Sequence, residues 1–551
     1  MKLWENGTFY QMTAEGEQVS AVLTKNGQIH AVGEVADLKK QYATEIDETI
    51  DLEGKVVFPG FVDAHIHLLW YGQALERLNL NQTTTKKEAL ALILERTKQL
   101  ASEEWLFVEG YDENKWSDEQ TLISLADLDG VSTTNPILVR RIDYHSVSIN
   151  SALKAHIENF SENGFDGGGE IVRDKAGNFT GILRDNATTL AIDAFPAATP
   201  AELNAWLKIA ITDLWSKGIT GAHSEDLHYF TGFESTFAAF RNTVGANRLP
   251  FRAHLLIHHA ELANFSASKE SFMSGDDFLE LGAMKIFYDG TVGSRTALMS
   301  AGYADNPNEK GLQIHSDEAF EDLVQSARKA GLPVAIHILG DQAFANVIRT
   351  LRANPPKEGQ YDRLIHTPWL TKELIAEAEG LPILFDIQPQ FMASDLPWAI
   401  DVLGENHPPL AFAWNSLLRA GFPLAGGSDA PIEVPNPFWG IHAAVTRTAN
   451  ADLDGVKYWP EESLTVYEAI ELYTKGAAFA SYKTTSRGQI APGFVADFTI
   501  LAEDPFLIKP ANLRHLEVMM TVVNEQVVYK KKVSKREKLH TETDVLEKYF
   551  C

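Results

Sequence analysis

The stretch SDEAFEDLVQSARKAGLPVAIHIL (316–339) carries one complete helix-to-strand step. Ser316 is a helix N-cap residue, the helical pattern runs from Asp317 to Ala330, and Gly331 stops it. PVAIHIL (333–339) then makes a short apolar run with a histidine near its end. Working outward, the same kind of run recurs at VDAHIH (62–67), GITGAHS (218–224), FRAHLLI (251–257) and AMKIFYD (283–289), and again at RLIHT (363–367), PILFDIQ (382–388) and PLAGGSD (423–429). Helical patterns lie between most of them, so the expected fold is α/β, a parallel (β/α)8 TIM barrel. The competing arrangement is an open doubly wound sheet. No G-x-G-x-x-G or P-loop segment favours it.

Roughly 150 residues separate the first and second strands, far more than one βα loop needs. The interval holds a helix from Thr85 to Leu100, a strand-like Ile137 to Arg141 and the turn Gly167-Gly168-Gly169. We read 73–198 as a subdomain inserted in the barrel (60–483), over its mouth; a helix from about Pro200 to Lys217 then leads into the second strand. Both chain ends read as β structure. Ser20 to Val32 alternates around Asn26-Gly27, a strong hairpin signal. Near the other end, Asp497 to Leu501 is apolar and Val518 to Tyr529 breaks at Asn524-Glu525. Residues 1–59 and 484–531 are therefore expected to form one small β-sandwich domain, and 532–551 a charged tail.

Of the 551 residues, 45% are hydrophobic and 22% charged, the balance of an ordinary globular protein. The net charge of −27 argues against nucleic acid as a partner, because a phosphate-binding surface needs clustered Lys and Arg. MKLWENGTFYQ at the start lacks an apolar stretch after its lysine, and no run reaches the roughly 18–20 apolar residues of a membrane span. The expectation is a cytoplasmic protein, off the membrane, acting on a small molecule, with homo-oligomerisation left open. Cys551 is the only cysteine, so a bound metal has to be held by histidine, carboxylate or something unusual.

On a strand, His65 and His67 project to the same side and can reach one ion. Alone, H-x-H is a weak signal. Lys285, His337, His366 and Asp429, however, lie near the ends of the fourth, fifth, sixth and eighth expected strands. In a (β/α)8 barrel those ends converge on one cavity. Lys285 is the odd member. Two metal ions would repel an ammonium and favour the neutral amine, which can take up CO2 as a bridging carbamate; alternatively it pairs with an acid such as Asp289.

FPGFVDAHIH (58–67), MKIFYDGTVGSRTA (284–297), VAIHILGDQA (334–343), RLIHTPWL (363–370), GGSDAPIE (426–433) and RGQIAPGFVADFTIL (487–501) resemble successive signature segments of the amidohydrolase superfamily. More narrowly they are similar to its YtcJ-like branch, which includes N-substituted formamide deformylases. The resemblance runs from about residue 20 to residue 529. It implies that His65 and His67 bind a first divalent metal, that carboxylated Lys285 bridges, and that His337 and His366 bind a second. Asp429 would then be both a first-metal ligand and the proton shuttle. One or two ions per chain are expected, Zn2+ first, with Fe2+, Mn2+ or Co2+ as alternatives. Metal-bound hydroxide would attack a carbon–nitrogen bond other than a peptide bond, in an amide, formamide or cyclic amide, and Asp429 would pass the proton to the leaving amine.

Two positions depart from the family pattern: Ile365 stands where a Glu is frequent, and Asp185 in GILRDN where a Glu is common. Expected substrate contacts are Tyr111, Asp112 and Trp116 in GYDENKW, His145 in DYHSVSIN and Arg295 in GSRTA. Trp116 has core packing as its alternative role, and Arg295 loop anchoring. Two other functions fit the same barrel. One is hydrolysis of an ester or another acyl or phosphoryl bond. The other is a non-enzymatic binding protein, which predicts eroded ligands, whereas all the candidate positions are intact.

Overall fold

The computed structural model describes residues 1–142, 146–158, 160 and 169–532. The chain forms two compact units, Met1–Tyr71 with Leu203–Cys551, and Gly72–Glu202. In the first, eight parallel strands lie side by side in chain order: β1 (Phe61–Ile66), β2 (Ile219–Ser224), β3 (Arg252–His258), β4 (Leu279–Phe287), β5 (Val334–Ile338), β6 (Asp362–His366), β7 (Ile383–Ile387) and β8 (Leu424–Gly426). The two edges of this sheet meet where the Asp429 N–H donates to the His65 carbonyl at 2.7 Å and the His67 N–H to the Ala430 carbonyl at 2.9 Å. The protein is a (β/α)8 barrel.

Local chemistry accounts for the units. Ahead of β5, the helix Asp317–Lys329 is capped by Ser316, whose hydroxyl accepts from the Ala319 N–H, and ends before Gly331 at φ +79°. β4 begins at Leu279 rather than Ala283. Its extra turn of sequence contains Glu280, which breaks the apolar run but is buried against Arg487 at 2.9 Å. The barrel interior is polar at this end. The Arg363 guanidinium on β6 crosses it to reach the Ala64 carbonyl on β1 and His223 on β2. Gly282 makes room for a neighbour there: a Cβ at that position would lie 2.1 Å from His254 Nε2.

Both chain ends join in one mixed sheet, ordered Gln526–Lys530, Val518–Val523, Phe498–Leu501, Glu48–Pro59, Lys2–Tyr10, Ala21–Lys25, Gln28–Gly33, with Gln18–Val19 beside Lys2–Tyr10. Alternation gives it two apolar faces, one built around Trp4, Val22 and Phe498, the other around Leu3 and Leu23. The Asn26-Gly27 turn has φ of 53° and 79°, the left-handed pair a tight hairpin needs.

The second unit contains a six-stranded sheet ordered Gly169–Arg173, Phe179–Asp185, Ser146–Ile149, Ile137–Arg141, Leu106–Tyr111, Leu78–Asn79. Tyr111 and Trp116 are wholly buried in its core, their rings stacked 5.6 Å apart, and the indole N–H donates to the Thr83 hydroxyl. Both were expected as substrate contacts, and for Trp116 the structure shows the alternative, core packing. Among the described residues, no helix is long and apolar enough to cross a membrane.

Candidate metal centre

β1 ends in the two histidines, and its last turn of backbone is pressed against β8. A Cβ on Gly427 would lie 2.4 Å from the His65 N, so only glycine lets the strands approach this closely. That approach carries Asp429 to the histidines: its Oδ1 is 3.5 Å from His65 Nε2 and 3.3 Å from His67 Nε2. Lys285, on β4, brings Nζ to 3.3 Å from His65 Nε2. The His366 ring lies 5.7 Å from that of His65 and 4.7 Å from that of His337. Among the described residues, one donor atom each from His65, His366 and Asp429 falls within 4.8 Å of the others. All six side chains expected at the mouth are brought together there.

Three of the four rings have one nitrogen held by an oxygen. A ring nitrogen facing a carbonyl oxygen can only donate. His67 therefore donates from Nδ1 to the Glu225 carbonyl at 2.5 Å and turns Nε2 towards Asp429 Oδ1, 3.3 Å away. His366 donates from Nδ1 to Gln388 Oε1 at 2.6 Å, also leaving Nε2. His337 donates from Nε2 to the Gly290 carbonyl at 3.2 Å, leaving Nδ1. Burial, joined by neighbouring cations, holds His65 and His337 well below the ordinary histidine range and His366 at about 4, so these three imidazoles are neutral as ligands must be. Burial opposes the charge of His67 too, but Asp429, Glu225 and Asp226 outweigh it and raise this ring to about 9 while no cation is bound. Burial also lowers Lys285, overriding the pull of Glu225, Asp429 and Asp386.

The backbone is strained at this mouth. His366, Thr367 and Asp429 have φ of 70°, 44° and 57°, a region that side-chain-bearing residues seldom occupy. Polar atoms are also left without partners: His65 Nδ1, Asp429 Oδ1, Asp386 Oδ1 and Glu225 Oε1 are buried with no hydrogen bond among the described residues. Leaving such atoms unpaired is costly, and a cation held between Asp429 Oδ1 and the histidine Nε2 atoms facing it would satisfy that oxygen. The donor set therefore fits a metal ion.

Asp289 does not pair with Lys285; its carboxylate accepts three backbone N–H groups, from Leu298, Leu339 and Gly340 at 2.8–2.9 Å. Arg295 sits in the loop after β4, paired with Asp305 at 2.9 Å. Asp112 caps the short turn Glu113–Lys115 through the Asn114 N–H. His145 lies outside the described residues. Sequence reading passed over Glu225 beyond β2, and Asp386 and Gln388 at the end of β7. Two polar residues ending PILFDIQ and an acid after GAHS were the available signals.

Residues 48–529 match the family model described as "Amidohydrolase family". The chain is 43% identical over 530 residues to "Putative amidohydrolase YtcJ" of Bacillus subtilis (strain 168), covering 96% of this chain and 99% of that one. It is 26% identical over 552 residues to the N-substituted formamide deformylase of Arthrobacter pascens, covering 96% and 98%. A crystal structure of an uncharacterized metal-dependent hydrolase from Pyrococcus horikoshii OT3 superposes with a TM-score of 0.78 at 23% identity, over 92% of this chain and 99% of that one, which supports the fold.

Proposed function

The chain belongs to the amidohydrolase family, and on that premise we propose that it is a metal-dependent hydrolase of a carbon–nitrogen bond other than a peptide bond, in an amide, formamide or cyclic amide. The observation that carries this reading is the unpartnered Asp429 Oδ1, facing two histidine Nε2 atoms at 3.3–3.5 Å where β1 and β8 meet. His65, His67 and Asp429 would hold one ion, His337 and His366 a second, with carboxylated Lys285 between them. Bound there, one or two divalent transition ions, Zn2+ first, would supply a Lewis acid for the scissile carbonyl and bring the pKa of a water towards neutrality.

The chain's own groups do the rest. Burial works against the charge of Asp429, but its contact with the protonated His67 outweighs it and holds the carboxyl below its usual range. It is ionised at neutral pH. It can accept a proton from the attacking water and deliver it to the departing nitrogen, as general base and then general acid. The Lys285 amine, lowered by burial, is more often neutral than a solvated lysine, and a neutral amine adds CO2 to give a carbamate and a released proton.

The formamide arm of the proposal leans on the relative named as a formamide deformylase. The test is a hydrolysis screen on metal-loaded chain, spanning N-formyl amines, N-acyl amines and cyclic amides, with carboxylic and phosphate esters alongside. The expected result is turnover of a carbon–nitrogen substrate that a chelator abolishes. Turnover of esters alone would overturn the reading.

A further inference from the structure

Of the four histidines at the mouth, three have their outward nitrogen held by a neutral oxygen at 2.5–3.2 Å. His65 differs. Its Nδ1 has no hydrogen-bond partner among the described residues and lies 3.6 Å from Asp386 Oδ2, too far for a hydrogen bond. Asp386 is itself fully buried, with Oδ1 unpartnered and Oδ2 accepting from Arg363 Nη2 at 2.6 Å. The same Nη2 donates to the carbonyl of Ala64 at 2.7 Å, and Nη1 contacts His223 Nδ1 at 3.2 Å. One buried guanidinium therefore grips both the residue before His65 and the carboxylate opposite its ring.

We propose that Asp386 and Arg363 are a positioning pair for His65, rotating into contact when His65 takes a cation on Nε2: the Nδ1 proton is then donated to Asp386, and Arg363 holds that carboxylate in place. This rests on the reading of His65 as a metal ligand. Coordination withdraws electrons from the ring and makes its N–H a better donor, and a carboxylate is the strongest acceptor available. Arginine suits the task because its planar fork reaches Asp386 and Ala64 with one nitrogen and His223 with the other, which a lysine ammonium does not do in fixed geometry. Charge also balances: without Asp386 the guanidinium would stand uncompensated below a cation site.

The test uses the full chain and Zn2+ alone, with affinity read by competition against a chromophoric chelator and folding by circular dichroism. Asp386→Asn should bind Zn2+ about 10–100-fold more weakly than wild type while folded, the usual effect of losing such an outer partner. Arg363→Lys, which keeps the charge but not the fork, should show a smaller loss in the same direction. A purely structural pair would instead lower the unfolding midpoint of the apo chain and leave Zn2+ affinity unchanged. Should Asp386→Asn fail to fold, 15N spectra of histidine-labelled, Zn2+-loaded wild type decide: a strongly deshielded Nδ1 proton on His65 supports the pair, and its absence overturns it. Wild-type affinity in folded Asp386→Asn overturns the pair alone. Failure of wild type to bind Zn2+ overturns the ligand reading and the pair with it.

Discussion

The two ends of the barrel interior treat buried charge in opposite ways. At the floor, where strands begin, Arg252 is paired with Asp497, Arg487 with Glu280, and Arg328 with Asp362. At the mouth, where strands end, His65 Nδ1, Asp429 Oδ1 and Glu225 Oε1 have no hydrogen-bond partner among the described residues. Both ends exclude water, so burial alone does not distinguish them. Pairing does. A paired buried charge is compensated within the chain, whereas an unpaired carboxylate oxygen such as Asp429 Oδ1 calls for something the chain does not supply.

Perturbing the mouth should therefore change chemistry, and perturbing the floor should change stability. The largest effect is expected at Lys285. Lys285→Ala should lose activity, and short carboxylic acids should restore part of it by replacing the carbamate; activity that survives without added acid would remove the bridging role. Next comes Asp429→Asn, which keeps size but removes the basic oxygen. Turnover should fall at least ~100-fold while metal is retained at least in part, measured on one sample. Near-normal turnover per metal-loaded molecule would reduce Asp429 to a loop cap.

At the floor, Arg252→Met should cost about 3 kcal/mol in denaturant unfolding, the lower end for a broken buried pair, because Asp497 keeps the Asn524 N–H at 2.8 Å. Its metal content should match wild type. The double variant Arg252→Met with Asp497→Leu should recover much of the loss. A metal-free but stable Arg252→Met chain would erase the contrast between the two ends. The smallest effect is electrostatic and remote from both. Burial, with Arg514 and His515 nearby, holds His442 down to about 4. Between that value and the unfolded histidine pKa near 6.5 the unfolded state binds the extra proton, so stability rises with pH across this window. His442→Gln should reduce that rise by this residue's share, the rest coming from other buried histidines such as His366.

The eight strands were legible because each is a short apolar run punctuated by a cap or glycine, as at Ser316 and Gly331. The side chains gathered at the mouth were legible because strand ends in this fold share one cavity. What stayed hidden depends on tertiary closure. Arg363 and Asp386 look like strand-edge charges in sequence; only closing the sheet sets β6 across from β1 and β2, where Arg363 finds the Ala64 carbonyl. Tyr111 was hidden by a bulge. Strict alternation would put it on the face of Phe107, but the pairing register shifts between Val108 and Tyr111, beside Gly110 at φ 82°. Tyr111 then joins Leu106 and Val108 in the core.

Metal content measured on purified wild type and on the His65→Ala, His67→Ala double variant tests the central claim most directly. The contrast between mouth and floor predicts about one to two transition-metal ions per wild-type chain, the complement of a catalytic site of this kind. It predicts their loss from the double variant, with circular dichroism and unfolding cooperativity preserved, since the mouth lies at the barrel's rim. A fully active wild type that carries no metal, and keeps its activity through exhaustive chelation, would contradict the account.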